Sequence, residues 1–120
     1  MENDNSKIKI QDFQKLDIRV GTIIDAEVPK WSHYVMKLKV DLGSDIGERT
    51  IFAGIMNFFK PRALIGKQSL FIVNLEPKKI GSEGDYSQGM MLMAVEKDDE
   101  VTPPILLAPK KKVPNGTKVS

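Results

Sequence analysis

Cysteine is absent from the 120-residue sequence, and histidine and tryptophan occur once each. The lack of cysteine excludes disulfide bonds, cysteine nucleophiles and thiolate metal sites, and it is typical of proteins from a reducing compartment. No apolar run approaches the roughly 20 residues that a membrane-spanning helix needs, and the polar N-terminus does not resemble a signal peptide. We therefore expect a cytoplasmic protein that does not bind a membrane.

Residues suited to catalysis or metal binding are equally scarce. The single histidine, His33, has no second histidine or paired carboxylate at metal-ligand spacing. Ser87 lies in Ser-Gln-Gly rather than in the Gly-x-Ser-x-Gly pattern of a nucleophile elbow. Gly81 and Gly84 lack the Lys-Ser/Thr ending of a phosphate loop. We predict a non-catalytic protein without a cofactor or a metal ion.

Charge is present in blocks, although the formal net charge is only +2. Residues 49–79 contain six basic residues and one acidic residue, whereas residues 80–104 contain one basic and six acidic residues. Residues 105–120 contain four basic residues and no acid. Patches of this kind attract polyanions even when the whole chain is nearly neutral. An ordinary solvated surface is the alternative that charge alone leaves open.

Short apolar segments separated by turn residues dominate the chain. Alternating and β-branched residues predict five strands, at residues 18–28, 35–42, 48–53, 67–75 and 90–95. Gly21 indicates a bulge or bend in the first strand, and residues 61–66 have the proline and glycine positions of a short helix. The pattern predicts an all-β fold, namely a five-stranded Greek-key barrel of the oligonucleotide-binding (OB) type, with a β-sandwich as the alternative.

The length indicates one domain, since domains commonly have ~100–150 residues. We expect residues 1–11 to form a flexible N-terminal segment in which Ile8 and Ile10 add an edge strand, followed by a helical turn capped by Asp12. The domain then occupies residues 12–120, with a C-terminal extension over about residues 96–120.

Residues 74–93 combine charge with soft apolar side chains around one turn between two predicted strands. Lys78 and Lys79 follow a proline, which ends the preceding strand because it has no N–H for a sheet ladder. Single-strand readers combine such cations with flat or polarizable groups that receive bases, and Met90 offers a polarizable thioether. Candidate stacking residues are Phe58, Phe59, Trp31 and Tyr34. Core packing is the alternative for Met90 and for both phenylalanines.

An ordered series of motifs, spread from about residue 12 to residue 119, resembles a known family. It includes residues 13–23, residues 37–43, Asn-Leu-Glu-Pro-Lys-Lys-Ile from Asn74 and Ser-Gln-Gly-Met-Met-Leu from Ser87. The chain resembles the stand-alone tRNA-binding domain, which is also appended to methionyl-tRNA and some tyrosyl-tRNA synthetases. The same domain forms the core of endothelial-monocyte-activating polypeptide II and occurs in an export-related chaperone of the Csa-A type.

The resemblance implies an OB barrel that binds the outer corner of tRNA, largely through shape and backbone. It would act as a homodimer or as a trans-acting appendage of an aminoacyl-tRNA synthetase, with the methionyl enzyme favoured. An export-related chaperone that binds unfolded polypeptides is the alternative. By position in the family motifs, the implied tRNA-binding residues are Asn74, Lys78, Lys79, Ser87, Met90 and Lys37. We expect further phosphate contacts from the lysine run at residues 110–112.

The linker between Gly81 and Ser87 departs from the family pattern. It is longer than usual and adds Glu83 and Asp85, whose carboxylates repel phosphate. This linker predicts an altered tRNA affinity or docking angle. The sequence does not identify the preferred tRNA, because proteins that read shape leave little trace of base specificity.

Overall fold

In the computed structural model, which describes residues 6–120, short strands make up most of the regular structure. The strands are β1 (Ile18–Glu27), β2 (Met36–Asp41), β3 (Glu48–Ala53), β4 (Gln68–Ile72), β5 (Lys78–Ile80), β6 (Asp85–Ser87), β7 (Met90–Met91), β8 (Met93–Ala94), β9 (Ile105–Leu106) and β10 (Lys118–Val119). The helices are α1 (Ile10–Gln14), α2 (Gly43–Ile46) and α3 (Pro61–Leu64). No helix among these residues has the length and apolar composition needed to cross a membrane.

The long first strand is the centre of an antiparallel sheet with the order β3-β2-β1-β4-β7, and β10 pairs with its first residues. The first half of β1 pairs with β4, and the half after Thr22 pairs with β2. A strand shared in this way has to bend, and its register shifts between Ile23 and Asp25. This bend turns the sheet back toward itself.

The outer strands β3 and β7 meet through the residues that precede β7. The N–H of Gln88 donates to the carbonyl oxygen of Thr50 at 2.8 Å, and the N–H of Thr50 donates to Gln88 Oε1 at 2.8 Å. Arg49 Nη1 donates to the carbonyl oxygens of Val73 at 2.7 Å and of Gln88 at 3.1 Å. These bonds nearly close the barrel, so the predicted all-β, OB-type fold is confirmed.

Alternation along the strands separates the core from the outer surface. On β2, Met36, Leu38 and Val40 are buried in the barrel, whereas Lys37 is half-buried and Lys39 is exposed. Phe71 on β4 and Leu64 on α3 fill the same core. The alternation predicted from the sequence thus places the β2 lysines on the outside of the barrel.

Gly21 is needed for close packing rather than for a bulge. A Cβ atom at this position would lie 2.7 Å from side-chain carbons of both Val40 and Leu42. The irregularity in β1 lies further along the strand, between Ile23 and Asp25. The predicted bulge at Gly21 is therefore wrong in position, because the register shift falls within the part of β1 that pairs with β2.

The N-terminal helix begins before Asp12. Lys9 is the N-cap residue, and its N–H donates to Asp12 Oδ2 at 3.2 Å, so the carboxylate caps the helix from within its first turn. Ile10 is helical and Ile8 is not in a strand, which makes the predicted edge strand wrong. Residues 1–5 lie outside the described residues, and the flexibility of residues 1–11 stays a prediction.

The last two predicted strands are shorter than expected. The strand predicted at residues 67–75 ends at Ile72, and the strand predicted at residues 90–95 divides into β7, which pairs with β4, and β8, which pairs with β9.

Gln68 connects the C-terminal extension to the barrel, since its Nε2 donates to the carbonyl oxygen of Val113 at 2.7 Å and its Oε1 accepts from the N–H of Val113 at 3.1 Å. These two hydrogen bonds hold the C-terminal extension against the start of β4.

Candidate nucleic-acid interface

A β-hairpin occupies part of the segment that the sequence predicts as a single turn. Strands β5 and β6 pair antiparallel, with Lys78 opposite Ser87. Gly81 and Gly84 adopt positive φ angles of 73° and 85°, which the turn between the strands requires. Strands of three residues are too short to produce a recognisable period, which explains why the sequence does not reveal them.

Trp31 covers the turn of this hairpin. A Cβ atom on Gly81 would lie 2.6 Å from carbons of the indole ring. The ring also contacts Phe52 of β3, with 6.1 Å between ring centroids and an interplanar angle of 37°. Trp31, a predicted stacking residue, therefore packs within the protein and connects the hairpin to the barrel.

Ser87 anchors the hairpin to β3. Its Oγ accepts the N–H of Phe52 at 3.0 Å and donates to the carbonyl oxygen of Gly89 at 3.0 Å. The residue is only 7% exposed. Because Phe52 is also paired with Lys37 on β2, the row Lys37, Phe52, Ser87 and Lys78 runs across four neighbouring strands. The hairpin is thus a continuation of the β2–β3 wall.

Lys78 and Lys79 are both exposed and lie on opposite faces of the hairpin, since successive strand residues alternate. Lys79 shares its face with its partner Tyr86, which is 52% exposed. Tyr86 is an exposed aromatic residue beside a cation, and the sequence analysis missed it. Only the register of the hairpin places it opposite Lys79.

Asn74 lies beyond the end of β4 and holds the segment after α1. Its Oδ1 accepts the N–H of Asp17 at 2.9 Å, and its Nδ2 donates to the carbonyl oxygen of Lys15 at 2.7 Å. A primary amide has two N–H donors and two acceptor lone pairs. The exposed Asn74 side chain therefore retains one donor and one acceptor for a ligand.

The neighbouring Arg19 is a structural cation. Its Nε donates to Asp17 Oδ1 at 2.6 Å and its Nη1 donates to the carbonyl oxygen of Gly116 at 3.1 Å. The hydrogen bond to Asp17 raises the pKa of the guanidinium. Arg19 thereby joins the segment after α1 to the C-terminal extension.

Met90 contributes the soft surface that the sequence predicts. It is 45% exposed and pairs with Ile72 at the end of β4 that leads to Asn74. The adjacent Met91 is 3% exposed and belongs to the core. The two methionines of this pair therefore have different surroundings, as strand alternation requires.

Lys37 is drawn toward the hairpin by an ion pair. Its Nζ lies 3.5 Å from Asp85 Oδ2, and the two side chains are 32% and 39% exposed. Asp85 is one of the two carboxylates in the unusually long linker. One of the lysines predicted to contact phosphate is thus already paired with a carboxylate of the same chain.

The lysine run at residues 110–112 lies apart from the hairpin. It lines a cavity of about 800 Å³ together with Gln68 and Ser69 at the start of β4. Asn74 lies past the other end of this strand, which at five residues spans ~17 Å. The structure therefore does not bring this run together with Lys78 and Lys79.

The remaining candidate stacking residues lie away from β5 and β6 in the chain and pack on other parts of the barrel. Phe59 packs against the core. The Tyr34 ring covers Gly54, and both residues line a second cavity of about 240 Å³ together with Phe58. In the described part of the chain, no group of three or more His, Asp and Glu side chains is arranged to hold a metal ion.

A nearly closed OB-type barrel is a fold that many oligonucleotide-binding proteins share, and the hairpin on its wall exposes Lys78 and Lys79. The family model described as "Putative tRNA binding domain" matches residues 18–118. The chain belongs to this tRNA-binding domain family, and the resemblance inferred from its motifs is confirmed.

The relatives of the chain include methionine–tRNA ligases and a chaperone. Methionine–tRNA ligase of Pyrococcus horikoshii is 40% identical over 118 residues, which are 98% of this chain and 15% of the ligase. The crystal structure of a MetRS related protein from Pyrococcus horikoshii has a TM-score of 0.83, 37% identity and full coverage, 100% of both chains. The chaperone CsaA from Bacillus anthracis str. Ames has a TM-score of 0.82 and 33% identity, over 95% of this chain and 99% of that one. The chain is thus related to part of a synthetase and to a chaperone.

Proposed function

We propose that this chain is a non-catalytic module that binds tRNA through the hairpin surface, defined as Lys37, Lys78, Lys79, Tyr86 and Met90. Membership of the tRNA-binding family and the relationship to methionine–tRNA ligase support tRNA as the partner. The observation that carries the proposal is the anchored β5–β6 hairpin, which exposes a lysine on each of its faces.

The mechanism combines phosphate contacts with soft contacts. Lys78 and Lys79 bind phosphates on the two sides of the hairpin, and Lys37 adds a third cation from β2. Tyr86 and Met90 offer a ring face and a thioether to an exposed base or ribose. Recognition of this kind depends on the shape of the folded RNA more than on base sequence.

The two other predicted contact residues support this surface. Asn74 uses its remaining donor and acceptor on a sugar or base while its other bonds hold the segment after α1. Ser87 fixes the hairpin on β3, because its hydroxyl is buried and bonded on both sides. Ser87 therefore positions the hairpin lysines, whereas Asn74 offers a polar contact beside them.

The module acts in the cytoplasm, either as a homodimer or bound to a synthetase, most simply the methionyl enzyme, whose effective tRNA concentration it raises. The C-terminal extension supports a homodimer, since Val101 and Ile105 within it are 75% and 56% exposed and Val95 just before it is 62% exposed. Light scattering tests this: a mass near twice 13.4 kDa supports the homodimer, and a mass near 13.4 kDa contradicts it.

The test of tRNA binding compares two double-lysine variants. Lys78→Ala with Lys79→Ala removes the two hairpin cations, and Lys110→Ala with Lys111→Ala removes the same charge at the other end of β4. Titration with bulk tRNA, using single-stranded and duplex RNA as competitors, should show a loss of roughly tenfold or more for the hairpin variant at low salt. The control variant should lose much less.

Equal losses for the two variants would contradict a localised interface and favour a general charge effect. Displacement of tRNA by single-stranded or duplex RNA at equal concentration would contradict recognition of tRNA shape. Circular dichroism of both variants checks that the barrel is intact.

A chaperone that binds unfolded polypeptides is the second candidate, favoured by the likeness to CsaA and by the cavity of about 800 Å³. Its apolar lining includes Ile23, Phe59, Met91 and Leu106. An aggregation-suppression assay separates the two functions, because the hairpin variant should lose tRNA affinity and keep any suppression activity.

A further inference from the structure

The Lys37–Asp85 ion pair lies inside the hairpin surface and joins two elements that are distant in sequence. Asp85 is the first residue of β6 and pairs with Ile80, on the face that also carries Lys78 and Ser87. Lys37 projects from β2 next to this face and lies 3.5 Å from the carboxylate. Both side chains are about one-third exposed, so a phosphate from solution can reach the pair.

Two other carboxylates lie near this lysine or this hairpin but do not pair with it. Glu27 is opposite Lys37 in the register of β1 and β2. Glu83 is exposed in the hairpin turn. Among residues 6–120, the ion pair of Lys37 is made with Asp85 alone. The structure therefore distinguishes Asp85 from the neighbouring acids.

We propose, on the basis of the proposed function, that the Asp85 carboxylate competes with RNA phosphate for Lys37. This competition lowers the affinity of the hairpin surface for tRNA. An exposed ion pair of this kind is weak and exchanges with other anions. Phosphate can therefore displace the carboxylate, but it has to do so against an anion that is always present. Because of this competition, only a ligand whose phosphates also contact Lys78 and Lys79 binds tightly.

The proposed competition predicts how the tRNA affinity of an Asp85 variant depends on salt concentration. Each additional phosphate contact makes log affinity fall more steeply with log salt, by about 0.7 to 0.9 per contact. Asp85→Asn removes the competing charge and keeps the shape of the side chain, so Lys37 becomes available for a full phosphate contact. The variant should bind tRNA more tightly than the wild type at low salt, and this advantage should shrink about threefold between 50 and 200 mM salt.

Glu83→Gln is the matched control, because it removes the same charge from the same hairpin without breaking an ion pair. A general charge effect would strengthen binding equally in both variants. The proposed mechanism requires a larger gain and a steeper salt slope for Asp85→Asn than for Glu83→Gln. Asp85→Ser serves as a second variant if the asparagine alters the hairpin.

A double-mutant cycle with Lys37→Ala completes the test. In the Lys37→Ala background, Asp85→Asn should lose its extra gain and match Glu83→Gln. If Asp85→Asn and Glu83→Gln behave alike in the wild-type background, the competition is overturned while tRNA binding stands. If the wild type does not bind tRNA at all, the proposed function fails and this inference fails with it.

Discussion

Ser87 and Asn74 each provide partners for backbone groups in neighbouring segments. The Ser87 hydroxyl accepts the N–H of the buried Phe52, and the Asn74 amide bridges the backbone of Lys15 and Asp17. Lys78 and Lys79 have no ion pair within the described residues and are open to solvent. At the scale of single residues, the surface therefore consists of residues that hold it in place and of exposed lysines, to which the proposal assigns the RNA contacts.

Ser87→Ala should destabilise the protein. The substitution leaves the buried N–H of Phe52 without an acceptor, which costs about 1–3 kcal/mol of unfolding free energy. Urea denaturation measures this loss. Ser82→Ala in the exposed hairpin turn is the control and should change stability by less than about 0.5 kcal/mol. A Ser87→Ala variant of unchanged stability that no longer binds tRNA would show a direct RNA contact instead.

At the scale of elements, the β5–β6 hairpin depends on its neighbours. Two strands of three residues are not stable alone, so the hairpin needs the contacts from Ser87 and Trp31. Trp31 packs directly on the backbone of Gly81, which has a positive φ angle. This packing holds the turn of the hairpin against the barrel.

Gly81→Ala should disturb the hairpin more than Gly84→Ala. Both glycines have positive φ angles, which cost about 1–2 kcal/mol for alanine. Only at Gly81 would the new Cβ atom collide with Trp31, at 2.6 Å, whereas nothing lies within 4 Å at Gly84. Trp31 is the single tryptophan, so its fluorescence reports the displacement. The spectrum and the tRNA affinity should change in Gly81→Ala, and equal behaviour of the two variants would contradict this role of Trp31.

At the scale of the whole molecule, the barrel is predictable from the sequence, whereas the hydrogen bonds that join its outer strands β3 and β7 are not. The alternation on β2 indicates both the strand and the outward position of Lys37. The closure depends on bonds from Arg49 and Gln88 side chains to the backbone, which leave no periodic signal. The candidate site follows the same division, because the lysines are evident from the motif while the ion pair with Asp85 depends on the fold.

Basic residues are concentrated in separate parts of the molecule, and one of these parts is the hairpin surface. The lysines at residues 110–112 and those of the hairpin lie at different ends of β4, so the protein has two basic regions and not one. Because the formal net charge is only +2, the chain as a whole exerts little attraction on a polyanion, and the proposed tRNA binding depends on local basic patches. In the proposed mechanism, phosphate contacts at the hairpin supply most of this attraction.

The salt dependence of tRNA affinity tests this central claim most directly. For the wild type, log affinity should fall linearly with log salt with a slope of about −2 or steeper, since the three lysines Lys37, Lys78 and Lys79 release counterions from phosphates. Replacing Lys78 and Lys79 by alanine should reduce the magnitude of the slope by about 1.4 to 1.8. An affinity that stays flat between low and moderate salt, or a slope that the double variant leaves unchanged, would contradict tRNA binding through the hairpin.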